Sequence, residues 1–95
     1  MPQPNELDVL IAEATLGEEA KRFMDSDVGK AVMGMAAQNV ELARIALGEV
    51  SPDDKTTIVR LQNEVKLGER FTQYITELFQ NGEQAKALFK QRSQE

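Results

Sequence analysis

The segment Val50-Ser51-Pro52-Asp53-Asp54 constrains the fold more than any other feature, because it interrupts two long stretches with helical periodicity. Ser51 is of a residue type that often caps a helix N-terminus, and Pro52 suits the first helical position, where its missing N–H costs nothing. Asp54 then falls in the first helical turn, where a carboxylate favours the positive end of the helix dipole. The sequence therefore predicts a helix that ends near Gly48 and another that begins at Pro52.

The composition favours helices over strands throughout the chain. Only 5% of the 95 residues are aromatic, 41% are hydrophobic, and runs of β-branched residues are scarce. A chain of this length can bury one core but not two. We therefore expect an all-α protein with a single helical domain over residues 6–91.

Apolar residues recur near the 3.6-residue period of an amphipathic helix. Asn5 is the expected N-cap of the first helix, and Asn81-Gly82 has the composition of a helix C-terminus. The predicted elements are a disordered lead (1–5), an N-terminal helix (about 6–24), two helices forming a long antiparallel hairpin (about 27–48 and 52–80), a short C-terminal helix (about 83–91) and a frayed tail (92–95).

The first two helices are separated by Asp25-Ser26-Asp27, three consecutive residues of the capping type. An alternative is a continuous helix that is kinked at Ser26, because such residues lower helicity without forbidding it. The sequence leaves both arrangements open.

Two glycines predict the register of the hairpin. In an antiparallel pair that turns near residues 50–51, Gly34 falls opposite Gly68, and small residues surround both positions. Two facing glycines would let the helix axes approach closely. This close crossing has two interpretations. It shapes a binding face or a dimer contact, or it is ordinary packing of two helices.

The chain lacks both histidine and cysteine, which removes the commonest general base, the commonest metal ligand, thiol nucleophiles and disulfides. Asp25-x-Asp27 does not begin a calcium loop, because Lys30 and Ala36 occupy the positions that require Gly and Glu. The adjacent carboxylates are expected to be solvated, and no phosphate-loop pattern is present. We therefore expect no catalytic, cofactor-binding or metal-binding residues and no enzymatic activity.

Charge and hydropathy limit the partners. The net charge of −5 disfavours non-specific binding to nucleic acid, and no 18-residue apolar run suggests a membrane helix. The N-terminus lacks the pattern of a signal peptide, so we expect a cytoplasmic protein.

The helices have apolar residues over a wider arc than one neighbouring helix would cover. Methionine suits adaptable contact surfaces, and Met33 lies off the main apolar stripe of its helix. Either the N-terminal helix covers the hairpin, or a partner chain does; we favour self-association into a dimer or larger oligomer, with another protein as a further possible partner. The candidate interface residues are Met24, Met33, Met35, Leu42 and Ile45.

An alternative function follows from the uneven charge. Residues 1–54 have eleven acidic and four basic side chains, giving −7, whereas residues 55–95 have five and seven, giving +2. The two halves should attract each other. An acidic regulator that inhibits or mimics a nucleic-acid partner would need a contiguous acidic stripe, formed by Glu6, Asp8 and Glu13 or by Glu18 and Glu19.

Four short motifs support a family resemblance. They are Phe23-x-x-Ser26-Asp27-x-Gly29-Lys30, Val50-Ser51-Pro52-Asp53, Leu61-Gln62-Asn63-Glu64 and Gly82-x-x-Ala85. Over about residues 20–90 the chain resembles small helical proteins encoded by tailed phages and prophages. The resemblance implies a phage-derived protein encoded with virion assembly functions, found in the host cytoplasm or with the virion, and it implies no activity.

Overall fold

The helical periodicity of the sequence is realised in three long helices. The computed structural model describes residues 4–94, with α1 at Pro4–Asp25, α2 at Asp27–Glu49 and α3 at Lys55–Ser93. No strand occurs among these residues, so the all-α prediction is confirmed. The predicted disordered lead lies partly outside the described residues, but Pro4 and Asn5 belong to α1, so the prediction of Asn5 as an N-cap is wrong.

The turn between α2 and α3 lies where the sequence predicts it, but α3 begins three residues later than expected. The Asp54 N–H donates to the Ser51 carbonyl at 3.0 Å, and the Asp53 N–H donates to Ser51 Oγ at 3.4 Å. Ser51 therefore stabilises a turn through Pro52 instead of capping the helix. The cap is Asp54, whose Oδ1 accepts a hydrogen bond from the Thr57 N–H at 3.2 Å.

The Asp54 cap predicts how stability depends on pH. Hydrogen bonds from the Thr57 side chain and backbone lower the pKa of Asp54. A carboxyl group whose pKa is lower in the folded state stabilises the fold above its unfolded pKa, and loses this contribution as the pH falls through the folded value.

We expect D54A to lower Tm at neutral pH and D54N, which keeps a neutral cap, to lose less stability than the wild type on acidification. Thermal unfolding at pH 7 and below pH 4 tests this. D53A is the control, and equal acid sensitivity of D54N and the wild type would contradict the assignment.

The break between α1 and α2 is limited to a single residue, Ser26. Its N–H donates to the Arg22 carbonyl at 3.0 Å, as in a continuing helix, while its Oγ donates to the Phe23 carbonyl at 2.7 Å. A side chain that binds the preceding turn in this way competes with the backbone for a carbonyl acceptor. The structure thus ends α1 at Asp25 and begins α2 at Asp27, while a helical backbone hydrogen bond is kept at Ser26.

Of the two helix ends predicted at glycines, one is wrong. Helix α2 ends at Glu49, one residue after the predicted end at Gly48, whereas Asn81-Gly82 lies inside α3, so there is no separate helix at 83–91. No glycine of the described chain has a positive φ. A C-cap glycine commonly adopts the left-handed conformation, whereas Gly82 keeps helical geometry. The predicted frayed tail also begins too early, because α3 continues to Ser93.

The contacts within the chain form two compact units that share α3. Unit 1 contains residues 1–26 and 74–95, and unit 2 contains residues 27–73. Because one continuous helix enters both units, the expectation of a single domain over 6–91 stays a prediction.

In unit 2, α2 packs against the first half of α3. Val40, Ala43 and Leu61 are buried there. A Cβ added to Gly68 would collide with Val40 Cγ2 and lie 3.3 Å from the Ala36 carbonyl oxygen. A Cβ at Gly34 would have no neighbour within 4 Å, so the predicted crossing of Gly34 with Gly68 is wrong.

In unit 1, α1 packs against the second half of α3 through a pair of buried glycines. A Cβ added to Gly17 would lie 2.6 Å from the Gly82 Cα, and a Cβ added to Gly82 would lie 2.6 Å from the Gly17 Cα. Ala20 and Ala85 are also buried, with Ala85 only 1% exposed. Small residues thus allow the two backbones into direct contact, which explains why α3 contains Gly82 without ending there.

Candidate interaction surface

Helix α2 has apolar residues on two different sides, of which only one is buried within the chain. The buried face includes Val40 and Ala43. The second face exposes four large hydrophobic side chains with relative exposures of 53–68%: Val28, Met35, Leu42 and Ile45. Monomeric proteins rarely expose contiguous apolar patches of this kind unless the patch binds something.

The structure separates the five candidate interface residues into two groups. Met35, Leu42 and Ile45 are exposed, whereas Met24 and Met33 are half-buried. The candidates omit Val28, although its seven-residue spacing from Met35 is a signal that identifies it. The prediction that these residues form an interface stays a prediction.

A shallow groove runs along the edge of this exposed face in unit 2. Its volume is about 650 Å³, and its lining includes Leu42 of α2 and Leu67 of α3. Leu67 is 68% exposed, so it extends the apolar surface from α2 onto α3. The other residues that line the groove are Ala36, Asn39, Ala43, Leu61, Glu64 and Gly68.

The charged residues of α2 lie beside this apolar face. At about 100° per residue, Lys30, Glu41 and Arg44 share one flank of the helix. All three are exposed, and Arg44 forms an ion pair with Glu69 of α3. The apolar face between Val28 and Ile45 is therefore uncharged but has a charged rim on one side.

Two of the acidic residues that would form the stripe of an acidic regulator are paired with basic side chains of α3. Glu18 forms an ion pair with Lys86, and Glu6 forms one with Arg92. At about 100° per residue, Asp8 points nearly opposite to Glu6 on α1. These pairs fit the expected attraction between the acidic and basic parts of the chain, although each exposed pair contributes less than ~1 kcal/mol.

Unit 1 also has an apolar groove, which is smaller than that of unit 2. Its volume is about 250 Å³, and it is lined by Leu10, Ile11, Ala14, Thr15, Glu18, Lys86 and Phe89. Its Glu18 and Lys86 side chains are already joined in an ion pair. The groove beside the exposed face of α2 is therefore the larger of these two.

Within residues 4–94 no group of three or more potential metal-ligating side chains was found. Tyr74 is 58% exposed. No helix in this part of the chain is both long enough and apolar enough to cross a membrane.

A comparison with protein-family models, curated proteins and solved structures found no match to this chain.

Proposed function

We propose that this protein is a non-catalytic assembly protein that associates with copies of itself through apolar helix faces. The observation that carries the proposal is the exposed row of large hydrophobic residues on α2, from Val28 to Ile45. Burying such side chains against a partner removes apolar area from water, at about 25 cal/mol per Å². Within unit 2 these side chains remain exposed, so they gain no such stabilisation there.

We further propose that unit 2 is an antiparallel helical hairpin. Gly68 lies against Ala36 and Val40, and Glu69 pairs with Arg44. These contacts join residues of α2 and α3 that lie at similar distances from the turn at 50–54, as an antiparallel pair requires. A rigid hairpin would present the exposed face of α2 as a preformed surface, which lowers the entropic cost of association.

The resemblance to small helical proteins of tailed phages and prophages supports a phage-derived origin and a role in virion assembly. Such a protein would act in the host cytoplasm or in the virion, and would need no cofactor. Self-association and a further protein partner are both compatible with this role.

The mass of the full-length chain in solution tests the proposal. We expect sedimentation equilibrium at tens of micromolar to give at least twice the 10.6 kDa mass of one chain, with dissociation on dilution. Because the proposed contact is apolar, moderate salt should weaken it little. A mass of one chain at all concentrations would contradict the proposal.

A further inference from the structure

We propose that α2 pairs with α2 of a second copy in antiparallel orientation, through six residues that we call the α2 seam. This inference rests on the proposed self-association and adds the surface and the orientation. The seam consists of Val28, Ala31, Met35, Gln38, Leu42 and Ile45, and all six residues are exposed.

The spacing of the seam is that of a coiled coil. Val28, Met35 and Leu42 are seven residues apart, and Ala31, Gln38 and Ile45 follow each of them by three. This alternation of three and four places all six residues in one narrow row, and it corresponds to positions a and d of a heptad. The row is distinct from the buried face of α2, which contains Val40 and Ala43. Helix α2 can therefore contact α3 on one side and a second helix on the other.

The charges beside the seam select the orientation. Along one flank of α2 the order is Lys30, Glu41 and Arg44, and Asp27 stands at the N-terminal end. From the N-terminal end the charges are negative at Asp27, positive at Lys30, negative at Glu41 and positive at Arg44. Turning one helix end for end therefore places each charge opposite one of the other sign. In an antiparallel pair Lys30 of one copy lies near Glu41 of the other, and this contact is made twice by the two-fold axis. A parallel pair in register would put this flank on opposite sides of the two helices, so Lys30 and Glu41 of one copy would gain no contact with the same flank of the other.

The same orientation gives a consistent register for the apolar residues. Antiparallel coiled coils pair position a with position d, which sets Val28 against Ile45, and Met35 against Gln38. The partner is a second copy, because the apolar residues of the seam are complementary to themselves and so are the charged residues beside it. The chain carries a net charge of −5, which opposes contact between copies over most surfaces, but the seam itself contains no charge.

Single substitutions in the seam test its location. Leu42→Glu places a carboxylate at an apolar contact in both copies, and we expect it to weaken dimerisation at least about 30-fold. Val59→Glu is the matched control, because Val59 is 54% exposed, close to the 56% of Leu42, and lies on α3 outside the seam. Circular dichroism verifies that both variants keep their helices. A wild-type dimer that L42E leaves intact would overturn the seam but not the proposed self-association, whereas a monomeric wild type would overturn both.

Charge reversal tests the orientation. K30E alone and E41K alone should each weaken homodimers several-fold, because each creates two repulsive contacts in an antiparallel pair. An equimolar mixture of K30E and E41K should form heterodimers more tightly than either variant forms homodimers, because both contacts between positions 30 and 41 then join a carboxylate to an ammonium group. Sedimentation of the separate and mixed variants gives the comparison. No preference for the mixture would overturn the antiparallel orientation.

The absence of cysteine from the chain allows a direct test of register. Under mild oxidation V28C and I45C, mixed, should form a disulfide-linked heterodimer. Each alone should cross-link poorly, because position 28 of one copy lies far from position 28 of the other. Efficient cross-linking of V28C with itself would instead indicate a parallel pair and overturn the proposed geometry.

Discussion

Replacing Gly17 with alanine is expected to destabilise unit 1 by about 2 kcal/mol. The added Cβ would lie 2.6 Å from the Gly82 Cα and 3.1 Å from the Leu78 carbonyl oxygen. These atoms belong to the backbone of α3, which cannot move aside as the end of a flexible side chain can. Overpacking of this kind costs typically 1–3 kcal/mol, occasionally more, and the better helix propensity of alanine returns at most about 1 kcal/mol. Urea unfolding followed by circular dichroism measures the loss.

Gly82→Ala should have a similar effect, since its Cβ would meet the Gly17 Cα at 2.6 Å. The double variant should lose less stability than the sum of the single variants, because the first substitution already separates the backbones. Gly34→Ala is the matched control. It is also a helical glycine, but its Cβ would have no neighbour within 4 Å, so we expect a gain of about 0.5–1 kcal/mol. If G17A were as stable as G34A, the close crossing of α1 and α3 would be wrong.

The second large effect is expected at Gly68 in unit 2. Gly68→Ala should destabilise the protein by about 1–3 kcal/mol, because its Cβ would collide with Val40 Cγ2. Valine is branched at Cβ and has little rotational freedom in a helix, so Val40 cannot turn away. The Ala36 carbonyl oxygen, 3.3 Å from the added Cβ, closes a second side of the site.

Val40→Ala provides the test of this contact. Alone it should destabilise the protein, because Val40 is buried and its loss leaves a cavity. In the double variant G68A/V40A the new methyl group enters the space that the valine leaves. The double-mutant cycle from urea unfolding should therefore show a favourable coupling of about 1 kcal/mol. Gly48→Ala, which introduces a methyl group into open space in α2, is the control. Purely additive effects would rule out the contact between Gly68 and Val40.

The bounds of α1 and α2 could be predicted closely from the sequence because they depend on local signals. Apolar periodicity defines each helix, and the capping residues around Ser26 mark the boundary between them. The exposure of Met35, Leu42 and Ile45 agrees with the wide apolar arc of α2, which exceeds what a single neighbour can cover. Met24 and Met33 are half-buried. Which of the methionines pack within the chain depends on contacts between helices, and periodicity alone does not specify those contacts.

The predicted crossing of Gly34 with Gly68 is wrong because the sequence does not show which residue caps α3. Ser51 and Asp54 are both capping residues, and local propensity does not decide between them. In the structure Asp54 caps α3 and Ser51 closes a turn, so the segment between α2 and α3 is longer than the sequence predicts. The midpoint of the connection moves toward Pro52, and Gly68 meets Ala36 and Val40 instead of Gly34.

The sequence by itself thus determined the helical class, the positions of α1 and α2 and the location of the turn, because hydrophobic periodicity and capping act within a few residues. The tertiary structure alone decided the course of α3. Asn81-Gly82 is a helix terminator by local composition, yet α3 continues through it, because the lack of a side chain at Gly82 and at Gly17 allows two helix backbones to touch. A residue that favours a helix end in isolation serves here as a packing contact, and only the neighbouring helix distinguishes the two roles.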